Sequence, residues 1–349
     1  MNLKRRLSWI VLTILTAPLY LNCSPGFEVL NGLESGSSNP PPVPGPSLKK
    51  ALYIAPEQPF DRLSQITLTS IINERDYENF WEFAPKHPLY SHGSDKRRWI
   101  YLPSQSKINN ADPDGWTFPP GTVLLKDFSL DGRRIETRVF EKILDANGFA
   151  AWRSSVYLWR ATQTDADRLT APDFYALPDL EKNLYEAGLV ADRYRIVQTN
   201  QCTRCHTNSP DVALGFNLLQ LSNAQERRNA LVLSDMGLLS NNITTFETIP
   251  GSEEQKMAIG YIQTNCAPCH NGNGPGPHNF RHRSTMKTTD EEAIIISAKA
   301  SAGLITPGNP AASRVFTRFS GGTMPPGTLI KDPVGEKLLS DWISTLVFE

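Results

Sequence analysis

Apolar and polar residues alternate most regularly in the middle of the chain, where three runs rich in β-branched and aromatic residues follow one another. The turn signals Asp131-Gly132 and Asn147-Gly148 separate these runs, and both pairs tolerate the positive φ of tight hairpins. The pattern predicts a three-stranded antiparallel meander within a β-rich N-terminal domain. Its strands are expected at residues 122–130, 133–143 and 149–159.

Helical periodicity replaces this alternation near the C-terminus. The run Ser252-Glu-Glu-Gln255 has the form of a capping box and predicts a helix that continues to Cys266. Asp332 as N-cap and Pro333 as first residue predict the last helix, whose apolar positions repeat at intervals of three and four. We expect the two helices to pack at Gly260, because close approach would offset the cost of a helical glycine, about 1 kcal/mol.

Two shorter helices are expected between them, at residues 291–302 and 310–319. The fold class predicted for the whole chain is α+β. Residues 51–250 form the β-rich domain, which ends with the first of two cysteine motifs, and residues 251–349 form an all-α domain.

The N-terminus has the pattern of a targeting segment. A basic start is followed by about fifteen mostly apolar residues, short for a spanning helix of roughly 20. The run Leu19-Tyr-Leu-Asn-Cys23 resembles a bacterial lipoprotein signal, which implies removal of residues 1–22 and lipidation of Cys23. The alternative is an uncleaved anchor. Either interpretation predicts an exported protein tethered to a membrane, facing the periplasm or the cell surface.

Composition adds two further constraints. Residues 23–50 are rich in Gly, Ser and Pro and are expected to form an extended tether. The chain has 35 basic and 36 acidic residues and a net charge of -1, without a long run of like charge. Nucleic acid is therefore not an expected partner.

Four of the five cysteines lie in two C-x-x-C-H motifs, the attachment signature of c-type haem. Paired cysteines can form two thioethers to one haem, and the adjacent histidine can bind its iron as an axial ligand. The sequence thus predicts two covalently bound haems. The attachment residues are Cys202, Cys205, Cys266 and Cys269, and the axial histidines are His206 and His270. Zinc is the alternative, but each motif offers only three of the four ligands that a tetrahedral site needs.

The second motif resembles that of class I cytochromes c, in which a helix ends at the C-x-x-C-H motif and a Met-Pro loop precedes the last helix. The resemblance implies that Met324 is the second axial ligand, opposite His270. Methionine ligation raises the reduction potential relative to two histidines. His278, His282 and Met286 are rival ligands.

For the first haem the second ligand stays open. Met236 and Met257 are possible on sequence distance, and five-coordinate iron is the other possibility. His87 and His92 each lie beside a turn residue and are expected in surface loops.

Residues 87–99 and 116–126 resemble a largely uncharacterised family of exported bacterial dihaem c-type cytochrome-like proteins, in which a β-rich region precedes the haem motifs. The resemblance covers most of residues 80–349. The run from Phe118 to Lys126 is also similar to a β-sheet class of cytochromes that includes cytochrome c′-beta and hydroxylamine-oxidising enzymes with a lysine–haem cross-link. This second resemblance implies that the first haem lies on the sheet and that Lys126 is a cross-link candidate. The alternative is a solvent-facing lysine.

Electron transfer with an unidentified redox partner protein is the leading functional hypothesis. The other is a haem enzyme that acts on peroxide, nitric oxide or hydroxylamine at the first haem and uses the second as a relay. Zinc binding is a distant third.

Overall fold

The computed structural model describes residues 56–66, 80–170, 194, 196, 202–206, 209–226, 228–272, 276, 278–281, 304–326 and 331–347. All of them belong to one compact unit, Gly45–Glu349. The signal segment, Cys23 and the tether lie outside the described residues, as do His282, Met286 and the helix expected at 291–302. The described fold is α+β: a six-stranded antiparallel sheet with several helices.

The strands lie in the sheet in chain order, so that each pairs with the next along the sequence. The predicted meander is confirmed, with strand ends within one residue of those expected. The strands are β1 (Trp81–Phe83), β2 (Asp95–Tyr101), β3 (Val123–Leu130), β4 (Arg133–Leu144), β5 (Ala150–Trp159) and β6 (Ala166–Arg168).

The turn between β3 and β4 forms as its sequence predicts. Asp131 has a φ of 50° and Gly132 a φ of 78°, so both central residues are left-handed. This is the backbone that matches the twist of a two-residue hairpin. The Asn147-Gly148 turn places only its glycine in the left-handed region, with a φ of 79°.

Side chains alternate between the two faces of the sheet. One face carries Trp99, Leu125 and Val139, which pack with Leu63 from the 3₁₀ turn Leu63–Gln65. On the opposite face, Arg98 pairs across the strands with Lys126, and Lys126 pairs with Arg138. We call this second face of β2, β3 and β4 the site face, because the first C-x-x-C-H motif lies against it.

The helices are α1 (Thr203–His206), α2 (Leu218–Leu221), α3 (Ala230–Asp235), α4 (Glu253–Asn265), α5 (Arg314–Ser320) and α6 (Pro333–Thr345). None of the helices in the described part of the chain is long and apolar enough to cross a membrane.

Both long helices begin at their predicted caps. The Ser252 hydroxyl accepts a hydrogen bond from the Gln255 backbone amide, and the Asp332 carboxylate accepts one from Val334. Their apolar faces meet in a common core that includes Ile259 of α4 and Trp342 of α6.

The helix expected at 310–319 is divided into two parts. A 3₁₀ turn, Pro310–Ala312, is capped by Asn309, and α5 begins after Ser313. Ser313 has an extended backbone (φ -90°, ψ 115°), and its side-chain oxygen accepts a hydrogen bond from the Thr306 amide. An extended residue cannot continue a helix, so the element is interrupted there.

The close contact between α4 and α6 is made by a different glycine from the one expected. A Cβ atom at Gly335 would lie 2.2 Å from the Tyr261 ring, so the absence of a side chain in α6 lets these helices approach. A Cβ atom at Gly260 would lie 2.1 Å from the ring of His87. Gly260 therefore accommodates the segment after β1, and His87 lies against α4 instead of in a free surface loop.

Candidate functional site

The two C-x-x-C-H motifs lie side by side. The Sγ atoms of Cys205 and Cys269 are 3.3 Å apart, although the two residues are 64 positions apart in the chain. The four motif cysteines carry thiols and are not joined in disulfides with one another. The fold thus brings together the two motifs that the sequence identified separately.

Both motifs adopt the same local turn. The backbone amide of His206 donates to the Cys202 carbonyl at 3.1 Å, and that of His270 donates to the Cys266 carbonyl at 3.0 Å. The first motif forms the single turn α1, and the second follows directly from the C-terminus of α4. In each, the turn holds the histidine close to the two cysteines before it.

The imidazole of His206 is oriented by a backbone carbonyl. Its Nδ1 lies 2.7 Å from the Val212 oxygen, and because a carbonyl only accepts, Nδ1 carries the proton. The other nitrogen, Nε2, is then the lone-pair atom available to a metal. Burial lowers the pKa of His206 to about 4, helped by the charge of Lys126, so the ring is neutral at pH 7 as ligation requires.

The loop that supplies this carbonyl has a strained backbone. Asp211 and Val212 have φ values of 48° and 63°, in the left-handed region that β-branched residues rarely enter. The Asp211 carboxylate anchors the loop to the site face: it accepts hydrogen bonds from Lys142 Nζ at 2.6 Å and from Trp152 Nε1 at 2.7 Å. The sheet thereby fixes the carbonyl that orients His206.

A cavity of about 280 Å³ lies between the first motif and the sheet. This volume is just below the range for small-ligand sites, roughly 300–1,000 Å³. Phe140 of β4 lines the cavity and stacks on His206, with ring centroids 4.7 Å apart. The cavity is also lined by Cys202, Cys205, Lys126 and Arg138.

Lys126 therefore faces this cavity and not the solvent. Burial lowers its pKa well below the ordinary value, and the nearby guanidinium groups of Arg98 and Arg138 add to the shift. Burial also lowers the pKa of Arg98, to about 10. For Arg138 burial acts in the same direction, but the neighbouring Glu136 carboxylate outweighs it and raises the pKa.

One of these three cations, Arg138, is neutralised by an ion pair with Glu136. Glu136 is fully buried, and its Oε1 lies 2.5 Å from Arg138 Nη2. The hydroxyl of Tyr194 donates to the same oxygen. Arg138 is thus held by a fixed carboxylate on the site face.

The surroundings of His270 are aromatic. Its ring lies 4.9 Å from that of Phe280 and 6.2 Å from that of His278, nearly parallel to both. The Nδ1 atoms of both histidines are buried and without a hydrogen-bond partner among the described residues. Burial lowers the pKa of His270, and the charge of His278 adds to this effect. His278 therefore lies beside the second motif. A Cβ atom at Gly276 would lie 2.2 Å from the His270 ring, so the ring occupies space that only a glycine leaves open.

Met324 is half-buried in the loop before α6 and precedes a cis peptide bond to Pro325. Its backbone amide donates to Arg318 of α5 at 3.1 Å. Its role as the ligand opposite His270 stays a prediction. Met236 caps the C-terminus of α3 and Met257 lies within α4, and neither lines the cavity beside His206.

Sequence reasoning missed two parts of this site. His87 lines the cavity, and the hydroxyl of Thr264 donates to its carbonyl oxygen at 3.0 Å. The glycine within α4 was the signal for a close neighbour, although it did not reveal which one. No sequence pattern marked Asp211 as part of the site, because its partner Lys142 is remote in sequence.

The residues of the first motif fit a covalently attached haem in chemical terms: two cysteine thiols and a neutral, oriented imidazole border one cavity. Over the described part of the chain, no three His, Cys, Asp or Glu residues converge as a metal-holding group. A haem iron takes no more than two ligands from protein side chains, so it does not require such a group.

No protein-family model, curated protein or solved structure matches this chain.

Proposed function

We propose that the protein is an exported, membrane-tethered dihaem c-type cytochrome that transfers electrons. The observation that carries the proposal is the approach of the two C-x-x-C-H motifs, whose Cys205 and Cys269 sulfurs lie 3.3 Å apart. A pair of haem-attachment sequences in contact suits two redox centres that exchange electrons.

Each motif has a defined role in this proposal. Cys202 and Cys205 hold one haem, and Cys266 and Cys269 hold the other. His206 and His270 are the first axial ligands. A bound haem supplies a one-electron iron centre. The protein supplies attachment, ligand orientation through the Val212 carbonyl, and a largely buried wall on the site face.

The C-terminal part is proposed to be a class I cytochrome c-like domain. Three features support this assignment: α4 leads directly into the motif, α6 packs across α4, and Met324 lies on the loop between α5 and α6. Met324 is the proposed second ligand of the second haem. His278 is the specific rival, because its ring lies 6.2 Å from that of His270.

Export and anchoring are proposed from the N-terminal sequence, with Cys23 as the lipidated residue. An exported protein also suits covalent haem attachment, which in bacteria takes place after export.

Haem content tests the main proposal. We expect a pyridine haemochrome assay of protein purified from a cytochrome c-maturing host to give two haems per chain. Replacing Cys202 and Cys205 by alanine should leave only the second haem. Replacing Cys266 and Cys269 by alanine should leave only the first. Protein that carries zinc in place of haem would overturn the proposal, and metal analysis of the same samples detects this.

The cavity beside His206 favours a second candidate function, a haem enzyme that uses the first site. Its wall combines the axial histidine with Lys126 and Arg138, and the methionines of the described chain do not line it. Binding of carbon monoxide or nitric oxide at the first site only, with turnover of peroxide or hydroxylamine, would favour this function. Spectra unaffected by these ligands would count against it.

A further inference from the structure

Two cations in the cavity wall have no counter-ion among the described residues. Arg98 and Lys126 face each other on β2 and β3, and both line the cavity. Neither forms an ion pair or a hydrogen bond with its side chain to another described residue. The closest favourable contact of Lys126 is the ring of Phe128, whose centroid lies 4.8 Å from Nζ. Arg138, which pairs with Lys126 across β3 and β4, forms an ion pair with Glu136.

The whole cavity wall is electropositive. Among the described residues that line it are four basic side chains, Arg98, Lys126, Arg138 and Arg281, against one carboxylate, Asp114. Glu136 does not line the cavity, but its carboxylate neutralises the charge of Arg138. The Arg98 guanidinium and the Lys126 amine, whose pKa burial lowers, are therefore left without a carboxylate among the described lining residues.

Such an arrangement is unfavourable unless an anion completes it. A buried charge without a partner is costly, and like charges opposite each other on neighbouring strands repel. Arg98 is only 7% exposed, so water screens it poorly. Neighbouring strands are about 4.8 Å apart, a spacing that lets a guanidinium and an ammonium group contact different oxygens of one oxyanion.

We propose that Arg98 and Lys126 bind a carboxylate or a small oxyanion inside the cavity beside His206. The anion has two possible sources with the same chemistry. One is a propionate of a haem attached at Cys202 and Cys205, and this source rests on the proposed function. The other is a free oxyanion from solution, which binds whether or not haem is present.

The test compares Arg98→Gln and Lys126→Met with Arg97→Gln in the purified full-length protein. Arg97 is the matched control, because it is the neighbour of Arg98 in β2 but is 44% exposed and pairs with Glu82. Nitrite and acetate are titrated at constant ionic strength while the melting temperature is measured. For a free oxyanion, we expect saturable stabilisation of the wild type and of R97Q, and binding about 10- to 100-fold weaker in R98Q and K126M.

For a propionate, we expect no response to added anions. The propionate bending bands in the resonance Raman spectrum should then shift in R98Q and in K126M but not in R97Q. The proposal is overturned if added anions leave the wild type unchanged and both variants keep wild-type propionate bands. A haemochrome assay separates the haem proposal from the anion-binding proposal. If the protein contains no haem, the anion titration alone decides whether Arg98 and Lys126 bind an oxyanion.

R98Q removes an uncompensated buried charge, so without anion it should melt at or above the wild-type temperature. K126M replaces the amine by an apolar side chain only one atom shorter and provides an independent variant.

Discussion

The carboxylate of Asp211 lies 2.6 Å from Nζ of Lys142, and both side chains are only 10% exposed. This contact ties the loop after the first motif to β4. The loop in turn holds the Val212 carbonyl 2.7 Å from His206 Nδ1. The orientation of the proposed axial ligand thus depends on a buried ion pair that does not touch it.

We expect Asp211→Asn to lower the free energy of unfolding by about 3–5 kcal/mol, because it leaves the buried Lys142 charge without its carboxylate counter-ion. The variant should also broaden the spectrum of the first haem, since the Val212 carbonyl loses its anchor. Denaturant titration and EPR of the holoprotein measure the two effects.

Asp341→Asn is the matched control for this prediction. Asp341 also pairs with a lysine, Lys337, but the two side chains are 53% and 75% exposed. An exposed pair contributes about 0.5 kcal/mol or less. A loss in the Asp211 variant as small as in this control would contradict the anchoring role.

A second prediction concerns the contact of Gly260 with His87. Alanine is favoured over glycine in a helix by about 1 kcal/mol, so Gly260→Ala would be stabilising on propensity alone. The Cβ would meet the His87 ring at 2.1 Å, and overpacking of this kind costs about 1–3 kcal/mol. We expect net destabilisation in a denaturant titration.

A double-mutant cycle isolates that contact. With His87→Ala in the background, Gly260→Ala should become neutral or stabilising, because the space that the Cβ requires is then free. Equal effects of the glycine substitution in both backgrounds would show that the ring is not the obstacle.

A third prediction distinguishes the ligands of the second haem. Met324→Ala should abolish the sulfur–iron charge-transfer band and lower the reduction potential, whereas His278→Ala should keep the band. Near-infrared absorption and a redox titration measure both. If the band is absent from the wild type and His278→Ala alters the spin state, His278 is the ligand instead.

Local signals in the sequence were sufficient for the elements that depend on neighbouring residues. The Asp131-Gly132 turn sets the β3–β4 hairpin, and Ser252 and Asp332 set the starts of α4 and α6. Each depends on residues within one turn, where propensity and capping act directly. The helix expected at 310–319 was divided because Ser313 bonds to Thr306, seven positions away.

The arrangement of the site depends on contacts that are remote in sequence. Predicting that Arg98 and Lys126 are opposite each other requires the register of two strands joined by a long connection. The approach of Cys205 to Cys269 requires the packing of the whole helical part against the sheet. Motif chemistry identified the cysteines and histidines, but only the fold identifies the cations and His87 around them.

The last prediction uses the pH dependence of stability. Burial, reinforced by Arg98, lowers the pKa of Lys96 from 10.5 to about 8 in the folded protein. Between these two values the unfolded chain holds a proton that the folded protein has released, so stability rises with pH in this window. Lys96→Met removes this contribution. The stability of the wild type minus that of K96M should therefore increase by up to about 1.4 kcal/mol per pH unit from pH 8 to pH 10. Lys337→Met, at a site whose side chain is 75% exposed, is the control and should show no such slope.

A difference between the wild type and K96M that is constant over the window would mean that Lys96 stays protonated in the folded state, as it would if a bound anion neutralised it. Where the slope is present, repeating the titration with added nitrite tests the link to anion binding, because an anion that binds nearby should flatten the slope.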